Sequence, residues 1–290
     1  MYLQHFQLAV KPFTLLPDPA FLYMSKRHAM AYALLEYGML NDSGGFIVIT
    51  GEVGSGKTTL IRKMLAETNN AASIGLLNHT HSNYGELLQW VLMSFNLEFK
   101  NKTKVELYQD FINFIKNHQL VGKRVVLVID EAHNLSLENL EEIRMLANIN
   151  TESGQVFQLI ISGQPELLQK LRMPELSQFA QRVTIQYHLE TLGKDECFDY
   201  IKHRLVVAGA TYFIFDDSAL LTIWYYSRGI PRVINTLCDL SLVYGFSEQR
   251  KYINADIVRQ VINDRKTGGL FIENDVDGDV NVNHIEEILC

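Results

Sequence analysis

The segment Gly51–Thr58 limits the possible fold more than any other part of this chain. Its sequence, Gly-Glu-Val-Gly-Ser-Gly-Lys-Thr, has the residue types and spacing of a phosphate-binding loop. The apolar run Phe46–Thr50 precedes it, and Thr59–Glu67 has a helical composition. A strand, a glycine-rich turn and a helix in this order predict an α/β fold with the turn at one edge of the sheet.

The residue types in the loop suit a nucleotide. Glycines let successive backbone N–H groups surround a phosphate, and the following helix presents its N-terminus to the anion. We expect Lys57 to bring a positive charge to the β- and γ-phosphates and Thr58 to offer a hydroxyl to Mg²⁺. The sequence therefore predicts ATP and Mg²⁺ as ligands, with nucleotide contacts from Gly51, Glu52, Val53, Gly54, Ser55, Gly56, Lys57, Thr58 and Thr59.

A second apolar run, Val125–Ile129, ends in two acids, Asp130 and Glu131. We expect Asp130 to help hold Mg²⁺ and Glu131 to orient and polarise the attacking water. Two carboxylates at the end of a strand also occur as simple caps of the next helix. The complete phosphate-binding loop favours the catalytic interpretation, because open α/β sheets bind ligands at this edge. The pair predicts an ATPase.

Asp130-Glu-Ala-His133 also spells the signature of DEAH-box helicases. Those proteins resemble two tandem motor domains, with Ser-Ala-Thr after this second motif and a late Gln-x-x-Gly-Arg-x-Gly-Arg motif. Here Phe157–Ser162 leads into Gly163-Gln-Pro, and the late motif is missing. A motif match needs its context, so the sequence disfavours a helicase, and His133 is interpreted as a local hydrogen-bonding residue.

The order of predicted elements indicates a parallel sheet covered by helices, followed by an all-helical region. Short apolar strands alternate with helices up to Leu189, and four helical segments follow, two of them with the caps Asp216 and Asn254. We predict four parts: an N-terminal arm and helix that frame the nucleotide, an α/β core, a small helical lid domain, and an acidic, disordered tail. Their bounds are 1–45, 46–189, 190–266 and 267–290.

Composition excludes several classes of protein. No apolar run approaches the roughly 18 residues needed to cross a bilayer, and the N-terminus lacks a basic and then apolar signal pattern. Three widely spaced cysteines give neither a disulfide framework nor a zinc pattern. These features predict a cytoplasmic protein without a membrane span of its own, so that any contact with a membrane would come through a partner.

The acidic residues are concentrated at the C-terminus. Residues 270–290 hold six acids and no Lys or Arg, so the rest of the chain carries −1 of the net charge of −7. A nearly neutral body neither indicates nor excludes a nucleic-acid partner. The spacing of the tail acids partly matches a calcium-binding loop, but its glycine falls at position four rather than six. A solvated acidic tail is the better interpretation.

Three further positions, taken with both motifs, resemble those of AAA+ ATPases: Asn78 at the end of the second strand, Arg182 before the last core strand, and Arg232 in Gly-Ile-Pro-Arg. The resemblance implies that Arg182 reaches a neighbouring subunit's γ-phosphate, with Arg172 as the reserve candidate. Arg232 would couple the lid to the γ-phosphate. Each has a plainer interpretation, namely a turn asparagine, a surface arginine and a solvated arginine after an N1 proline.

The same resemblance implies two residues around the catalytic acid. Asn78 would restrain Glu131, and a polar sensor at the end of the fourth strand would fall within Ser162–Gln164, where we favour Gln164. Such ATPases act as homo-oligomers, either rings or filaments, with the arginine finger supplied in trans.

A closer resemblance covers residue 1 to about residue 265. The N-terminal segments 1–6, 12–23 and 35–38, together with Gly163-Gln-Pro-Glu-Leu and the Gly-Ile-Pro-Arg segment, resemble ExeA/GspA-type AAA+ ATPases, most of all the short MshM-like members. That family serves the general secretion pathway and MSHA pilus biogenesis. The resemblance implies a partner among inner-membrane assembly proteins. It also makes Tyr23 and His28 candidate contacts to the base, with packing of an N-terminal arm as the alternative.

The main prediction is therefore an Mg²⁺-dependent ATPase that remodels or assembles an envelope secretion or pilus-biogenesis complex. One alternative is a TniB-like regulator of DNA transposition that assembles on DNA, although the Lys and Arg residues form no basic stripe in the sequence. Another is a nucleotide-gated scaffold with little turnover, which Glu131 disfavours.

Overall fold

A parallel sheet of five strands forms the centre of the α/β part of the chain. The computed structural model describes residues 1–15, 18–40, 45–68, 72–78, 87–146, 148 and 156–268. The strands pair in the order β2-β3-β4-β1-β5, so all their carboxyl ends lie at one edge. Their bounds are Phe46–Gly51 (β1), Ala72–Leu77 (β2), Arg124–Ile129 (β3), Phe157–Gly163 (β4) and Val183–Leu189 (β5).

Burial explains the continuous apolar sequences of the central strands. Every residue of β1 and β4 is buried, and so is every residue of β3 after its first. Helices cover both faces, as is usual for parallel sheets. In the edge strand β5, half-buried and exposed positions alternate instead, and only its last residue, Leu189, is buried. The predicted α/β core with a parallel sheet and a helical C-terminal region is confirmed.

Two apolar layers enclose the sheet. On one face, Leu35 of α2 and Leu60 of α3 pack against Ile47 and Val128. On the other face, helices α4, α5 and α6 pack against the sheet through residues such as Phe111. The helices of this part are Lys26–Leu40 (α2), Lys57–Glu67 (α3), Leu87–Ser94 (α4), Lys104–Leu120 (α5), Leu137–Leu146 (α6), Glu166–Leu171 (α7) and Ser177–Ala180 (α8).

Within the described residues, four helices follow the last strand and share a core of their own. The predicted caps are present: Asp216 accepts from the Ala219 N–H at 2.8 Å, and Asn254 accepts from the Ile257 N–H at 3.3 Å. Each cap satisfies a backbone donor that the first helical turn leaves unpaired. These helices, called the lid below, are Lys194–Val207 (α9), Asp217–Ser227 (α10), Pro231–Ser247 (α11) and Ala255–Thr267 (α12).

The N-terminal segment packs against the lid. Its short helix α1, Tyr2–His5, and the buried rings of Phe6 and Phe13 belong to the lid core. The Tyr2 hydroxyl donates to Asp239 at 2.5 Å, and the pKa of Tyr2 is raised, chiefly by burial. The start of the chain therefore joins the lid before α2 enters the α/β core.

Two further expectations concern membranes and the tail. Among the described residues, no helix has the length and apolar character that a bilayer crossing requires. The acidic tail, including its calcium-like pattern, lies outside the described residues beyond 268.

Candidate nucleotide site

A cavity of about 460 Å³ lies where the α/β core, the N-terminal segment and the lid meet. The core lines it with residues 53–59 and Glu131, and the lid lines it from α9 and α11. The sheet edge that holds the carboxyl ends of β1 and β3 opens into this cavity. This is the edge at which open α/β sheets bind ligands.

The loop between β1 and α3 has the conformation that its glycines allow. Gly54 and Gly56 have φ angles of 82° and 104°, in the region that favours glycine. A Cβ on Gly54 would also lie 2.4 Å from the Cβ of Arg232. The hydroxyl of Ser55 is buried in the loop without a hydrogen-bond partner in the described part of the chain. The loop therefore fits an oxygen-rich ligand at the start of α3.

Lys57 lies along the inside of this loop. Its side chain is buried, and its ammonium group donates to the carbonyls of Gly51 at 2.8 Å and Glu52 at 2.9 Å. Burial lowers the pKa of Lys57, while the negative charges of Glu131, Asp130 and Glu52 act in the opposite direction. The ammonium group is therefore held by two backbone carbonyls of the loop.

The donors expected for Mg²⁺ lie together. The Thr58 hydroxyl donates to Asp130 Oδ2 at 2.5 Å, and the Ser162 hydroxyl at the end of β4 donates to Asp130 Oδ1. A hydroxyl and a carboxylate beside a phosphate loop are the ligand types from which Mg²⁺ sites are built, with phosphates and water completing the shell. The residues present fit this metal ion.

Glu131 extends from the same strand end into the cavity. Its backbone is left-handed, with φ 54°, and its side chain is 40% exposed. Oε2 lies 3.5 Å from His133 Nδ1. The conformation turns the chain away from Asp130, so that the two neighbouring carboxylates take different positions: one in contact with Thr58 and the other at the cavity wall.

The favoured sensor residue, Gln164, lies against His133. Its amide nitrogen is 2.9 Å from His133 Nε2, and its backbone N–H donates to Nδ1 at 3.4 Å. Lys170 fixes the same turn by donating to the carbonyls of His133 and Leu135 at 2.6 and 2.7 Å. Gln164 therefore contacts His133, which lies 3.5 Å from Glu131, while Ser162 contacts Asp130 directly.

Asn78 directly follows β2, next to the end of β3. The Leu77 carbonyl accepts from the Asp130 N–H at 2.8 Å, which fixes the two strand ends side by side. The Asn78 Oδ1 atom is buried and has no hydrogen-bond partner within the described ranges. Asn78 therefore follows the strand end that is bonded to Asp130, and its predicted role in restraining Glu131 stays a prediction.

Arg232 brings the lid onto the phosphate loop. Its backbone N–H donates to the Gly54 carbonyl at 3.3 Å, and its side chain is exposed at the cavity wall. Pro231 at the first position of α11 costs no hydrogen bond there, because that N–H would be unpaired in any helix. The lid therefore contacts the nucleotide loop directly.

Arg182 lies at the opposite end of the sheet. Its carbonyl accepts from the N–H of Phe46 at 2.7 Å, at the start of β1, whereas the phosphate loop follows the end of β1. Six residues of strand separate the two ends, roughly 17 Å. The guanidinium contacts Asn148. The reserve candidate, Arg172, is an exposed residue that follows α7. Arg182 is outside its own chain's cavity.

His28 and Tyr23 both line the cavity. His28 Nε2 is 3.1 Å from the Ser55 carbonyl, which only accepts, so Nε2 carries the hydrogen and Nδ1 accepts from the Ser25 hydroxyl at 2.8 Å. Burial lowers the pKa of His28, in keeping with this neutral form. The Tyr23 ring packs 6.0 Å from the Tyr200 ring, and burial raises the pKa of Tyr23. His28 supports the loop, and Tyr23 lies nearer the lid.

Three polar cavity residues were missed from the sequence: Tyr200, Arg204 and Asn235. Ser162, the contact of Asp130, lies within the predicted range Ser162–Gln164, although Gln164 was the residue favoured there. Helical spacing was the available signal for Asn235, since it lies three positions after Arg232 and so shares its face of α11. No local pattern marks Tyr200 and Arg204.

Comparisons with known proteins agree with this geometry. A family model described as an AAA domain matches residues 40–171. General secretion pathway protein A of Aeromonas hydrophila is 40% identical over 262 residues, which cover 89% of this chain and 47% of that protein. An ATP-dependent RNA helicase HrpA homolog of Haemophilus influenzae is 32% identical over 112 residues, 32% of this chain and 8% of that protein. The chain spans less than half the length of these curated relatives.

Solved structures share the fold at lower identity. Cdc6p from Pyrobaculum aerophilum has a TM-score of 0.66 and 20% identity, with 86% of this chain and 71% of that chain covered. The Aeropyrum pernix ORC2 protein, as ADPNP-ADP complexes, has a TM-score of 0.62 and 14% identity, with 96% and 82% covered. At this identity the likeness concerns the fold alone.

Proposed function

Because the chain belongs to the AAA ATPases of the general secretion pathway protein A type, we propose that it binds ATP with Mg²⁺ and hydrolyses it. One observation carries the proposal: Lys57, Thr58, Asp130 and Glu131 come together at one edge of the sheet, beside a cavity that the lid completes. These are the groups that phosphoryl transfer to water requires, namely a phosphate cradle, metal ligands and an acid that orients water.

Each group has a separate task in this reaction. The loop N–H groups and Lys57 bind the β- and γ-phosphates and stabilise the negative charge that develops on them. Thr58 and Asp130 would hold Mg²⁺, which neutralises phosphate charge when bound. Glu131 accepts a hydrogen bond from the attacking water and so orients and polarises it. His133 Nδ1, 3.5 Å from Glu131 Oε2, restricts the position of this carboxylate. Arg232 joins the lid to the γ-phosphate end.

The proposed active site is shared between two copies of the chain. Arg182 lies at the amino edge of the sheet, roughly 17 Å along β1 from the loop of its own chain. The guanidinium of Arg182 would therefore stabilise the charge on the γ-phosphate that a neighbouring copy binds. Homo-oligomerisation, as a ring or a filament, would then be a condition of hydrolysis.

The mechanical output is proposed from the family. We infer that changes in lid position, driven by hydrolysis, remodel or assemble an envelope secretion or pilus-biogenesis complex at the cytoplasmic side of the inner membrane. The name of the Aeromonas relative supports this, over the part of that protein that the chain covers.

Hydrolysis by mixed variants tests the shared site. Glu131→Gln should bind ATP without turnover, and Arg182→Ala should bind ATP and hydrolyse it slowly. Mixing them should restore part of the activity, because an intact Arg182 from the first variant can serve the intact Glu131 of the second. Arg259→Ala, a surface change on α12, serves as the control and should leave activity unchanged. No recovery at any mixing ratio would contradict a role in trans.

The DNA-regulator alternative has a distinct signature. ATPase activity that duplex DNA stimulates, with a steep loss of stimulation as salt rises, would favour it, since phosphate contacts release counterions. Activity that is indifferent to DNA would favour a protein partner.

A further inference from the structure

Arg204 on α9 is the one arginine that is buried among the described residues. It makes no ion pair with a carboxylate in that part of the chain. Instead, Nε donates to the Pro12 carbonyl at 2.6 Å and Nη2 to the Thr14 carbonyl at 3.4 Å. A buried cation without a counter-ion is costly unless its donors are satisfied. The backbone carbonyls of Pro12 and Thr14 therefore take the place of a counter-ion for Arg204.

The remaining contacts of Arg204 are with aromatic residues. Nη1 donates to the Tyr200 hydroxyl at 2.8 Å, and the guanidinium lies 5.0 Å from the centre of the Phe21 ring. The Tyr200 hydroxyl in turn donates to Asn235 Oδ1 at 2.8 Å. One side chain thus connects three parts of the fold: the N-terminal segment, α9 and α11.

These residues line the same cavity as the phosphate loop. The loop and Glu131 define the end of the cavity that would hold the phosphates. Arg204, Phe21, Tyr200 and Asn235 line a different part of the cavity wall. Arg232 contacts Gly54 at the start of α11, and Asn235 follows one turn later. The Tyr200 hydroxyl donates to the amide oxygen of Asn235, so the amide NH₂ is the group that can donate a hydrogen bond to a ligand. Aromatic rings and an amide donor suit a purine base, which stacks and offers ring-nitrogen acceptors.

We propose that Arg204 is a positioning residue that builds the base-binding end of the nucleotide cavity. It ties the N-terminal segment to the lid through the Pro12 and Thr14 carbonyls, and it orients Asn235 through Tyr200. This inference rests on the proposed function. Base binding then depends on Arg204, whereas phosphate binding depends on Lys57. Lysine is no substitute, because its single ammonium group lacks the planar set of donors that reaches three acceptors while stacking on a ring.

The test compares two probes on the full chain, ATP and inorganic tripolyphosphate, each titrated calorimetrically with Mg²⁺ present. Arg204→Met keeps the length and the apolar body of the side chain. We expect it to weaken ATP binding roughly tenfold, the loss of one or two hydrogen bonds, and to leave tripolyphosphate affinity within about twofold. Tyr200→Phe keeps the ring and removes only the hydroxyl, and should reduce the ratio of the two affinities roughly threefold.

A matched control lies on the same helix. Lys202 faces outward over the Phe213 ring, 5.5 Å from its centre, and does not line the cavity. Lys202→Ala should keep the wild-type ratio of ATP to tripolyphosphate affinity.

The outcomes separate the inference from the proposed function. If Arg204→Met does not fold, Tyr200→Phe decides. Equal weakening of both probes, or an unchanged ratio in the folded variants, overturns the role of Arg204 while ATP binding by the wild type stands. A wild-type protein that binds neither probe overturns the proposed function and this inference with it.

Discussion

The Thr58 hydroxyl and the Asp130 carboxylate meet across 2.5 Å although the residues are 72 positions apart in the chain. The strands that precede them, β1 and β3, are not neighbours, since β4 lies between the two. The gap is closed at the carboxyl edge, where Ser162 at the end of β4 contacts the other oxygen of Asp130. The order of strands in the sheet is therefore what assembles the proposed metal site.

Asp130→Asn should leave an ATP affinity that no longer depends strongly on Mg²⁺. The amide keeps the shape of the carboxylate and loses its charge, so we expect hydrolysis to fall roughly a hundredfold. ATP affinity, measured by calorimetry with and without Mg²⁺, should lose most of its dependence on the metal ion. Asp110→Asn, in a surface pair with Lys102, is the matched control. A variant with wild-type metal dependence would refute the assignment of Asp130.

His133→Ala should lower kcat roughly tenfold and leave KM within about twofold, because the ring positions Glu131 and is not expected to contact the nucleotide. His133→Gln, which retains a hydrogen-bonding group, should recover part of the loss. Steady-state kinetics measures both constants. His118→Ala, on α5, whose ring hydrogen-bonds to the Phe114 carbonyl, is the control. An effect on KM alone would show that His133 acts on binding.

Arg232→Ala should lower hydrolysis by at least roughly tenfold, because the guanidinium is proposed to stabilise charge on the γ-phosphate. Its side chain is exposed, so the free energy of unfolding should change by no more than about 0.5 kcal/mol. ATPase assays and denaturant unfolding provide the two measurements. Full activity in the folded variant would leave only the backbone contact with Gly54 as the function of this position.

His28 should make stability depend on pH. Burial lowers its folded-state pKa below the ordinary 6.5, so the unfolded chain binds more protons between these two values. The free energy of unfolding should therefore fall as the pH decreases from about 7.5 through 6.5 and level off below the folded-state pKa. His28→Asn, which does not titrate, should show a flatter dependence in urea unfolding at each pH. Equal slopes in the two proteins would contradict this prediction.

Local sequence patterns predicted many of the elements of the fold. The apolar runs Phe46–Thr50, Val125–Ile129 and Phe157–Ser162 gave strands β1, β3 and β4 to within one residue at each end. These patterns succeed because central strands of a parallel sheet are buried on both faces and need continuous apolar sequence. The caps Asp216 and Asn254 were predictable for the same kind of reason, since a helix start leaves backbone donors unpaired within a few residues.

Contacts between distant segments were beyond such patterns. That Gln164 lies on His133 while Ser162 contacts Asp130 depends on how the end of β4 meets the turn after β3. The sequence placed both residues at the end of the fourth strand and favoured Gln164, with no local signal for the contact between Ser162 and Asp130. Likewise, Tyr200 and Arg204 have ordinary helical spacing, and only the docking of the N-terminal segment gives them a cavity to line.

The sequence by itself determined the phosphate-binding loop, the two acids and the α/β order of the elements, because each depends on residues close together in the chain. Only the tertiary structure decided which groups share one cavity, namely the lid's Arg232 at Gly54 and the buried Arg204 against the N-terminal segment. It also placed Arg182 away from that cavity, beside the start of β1. The physical reason is that burial and hydrogen bonding between segments 100 or more residues apart depend on how layers pack, which no local spacing records.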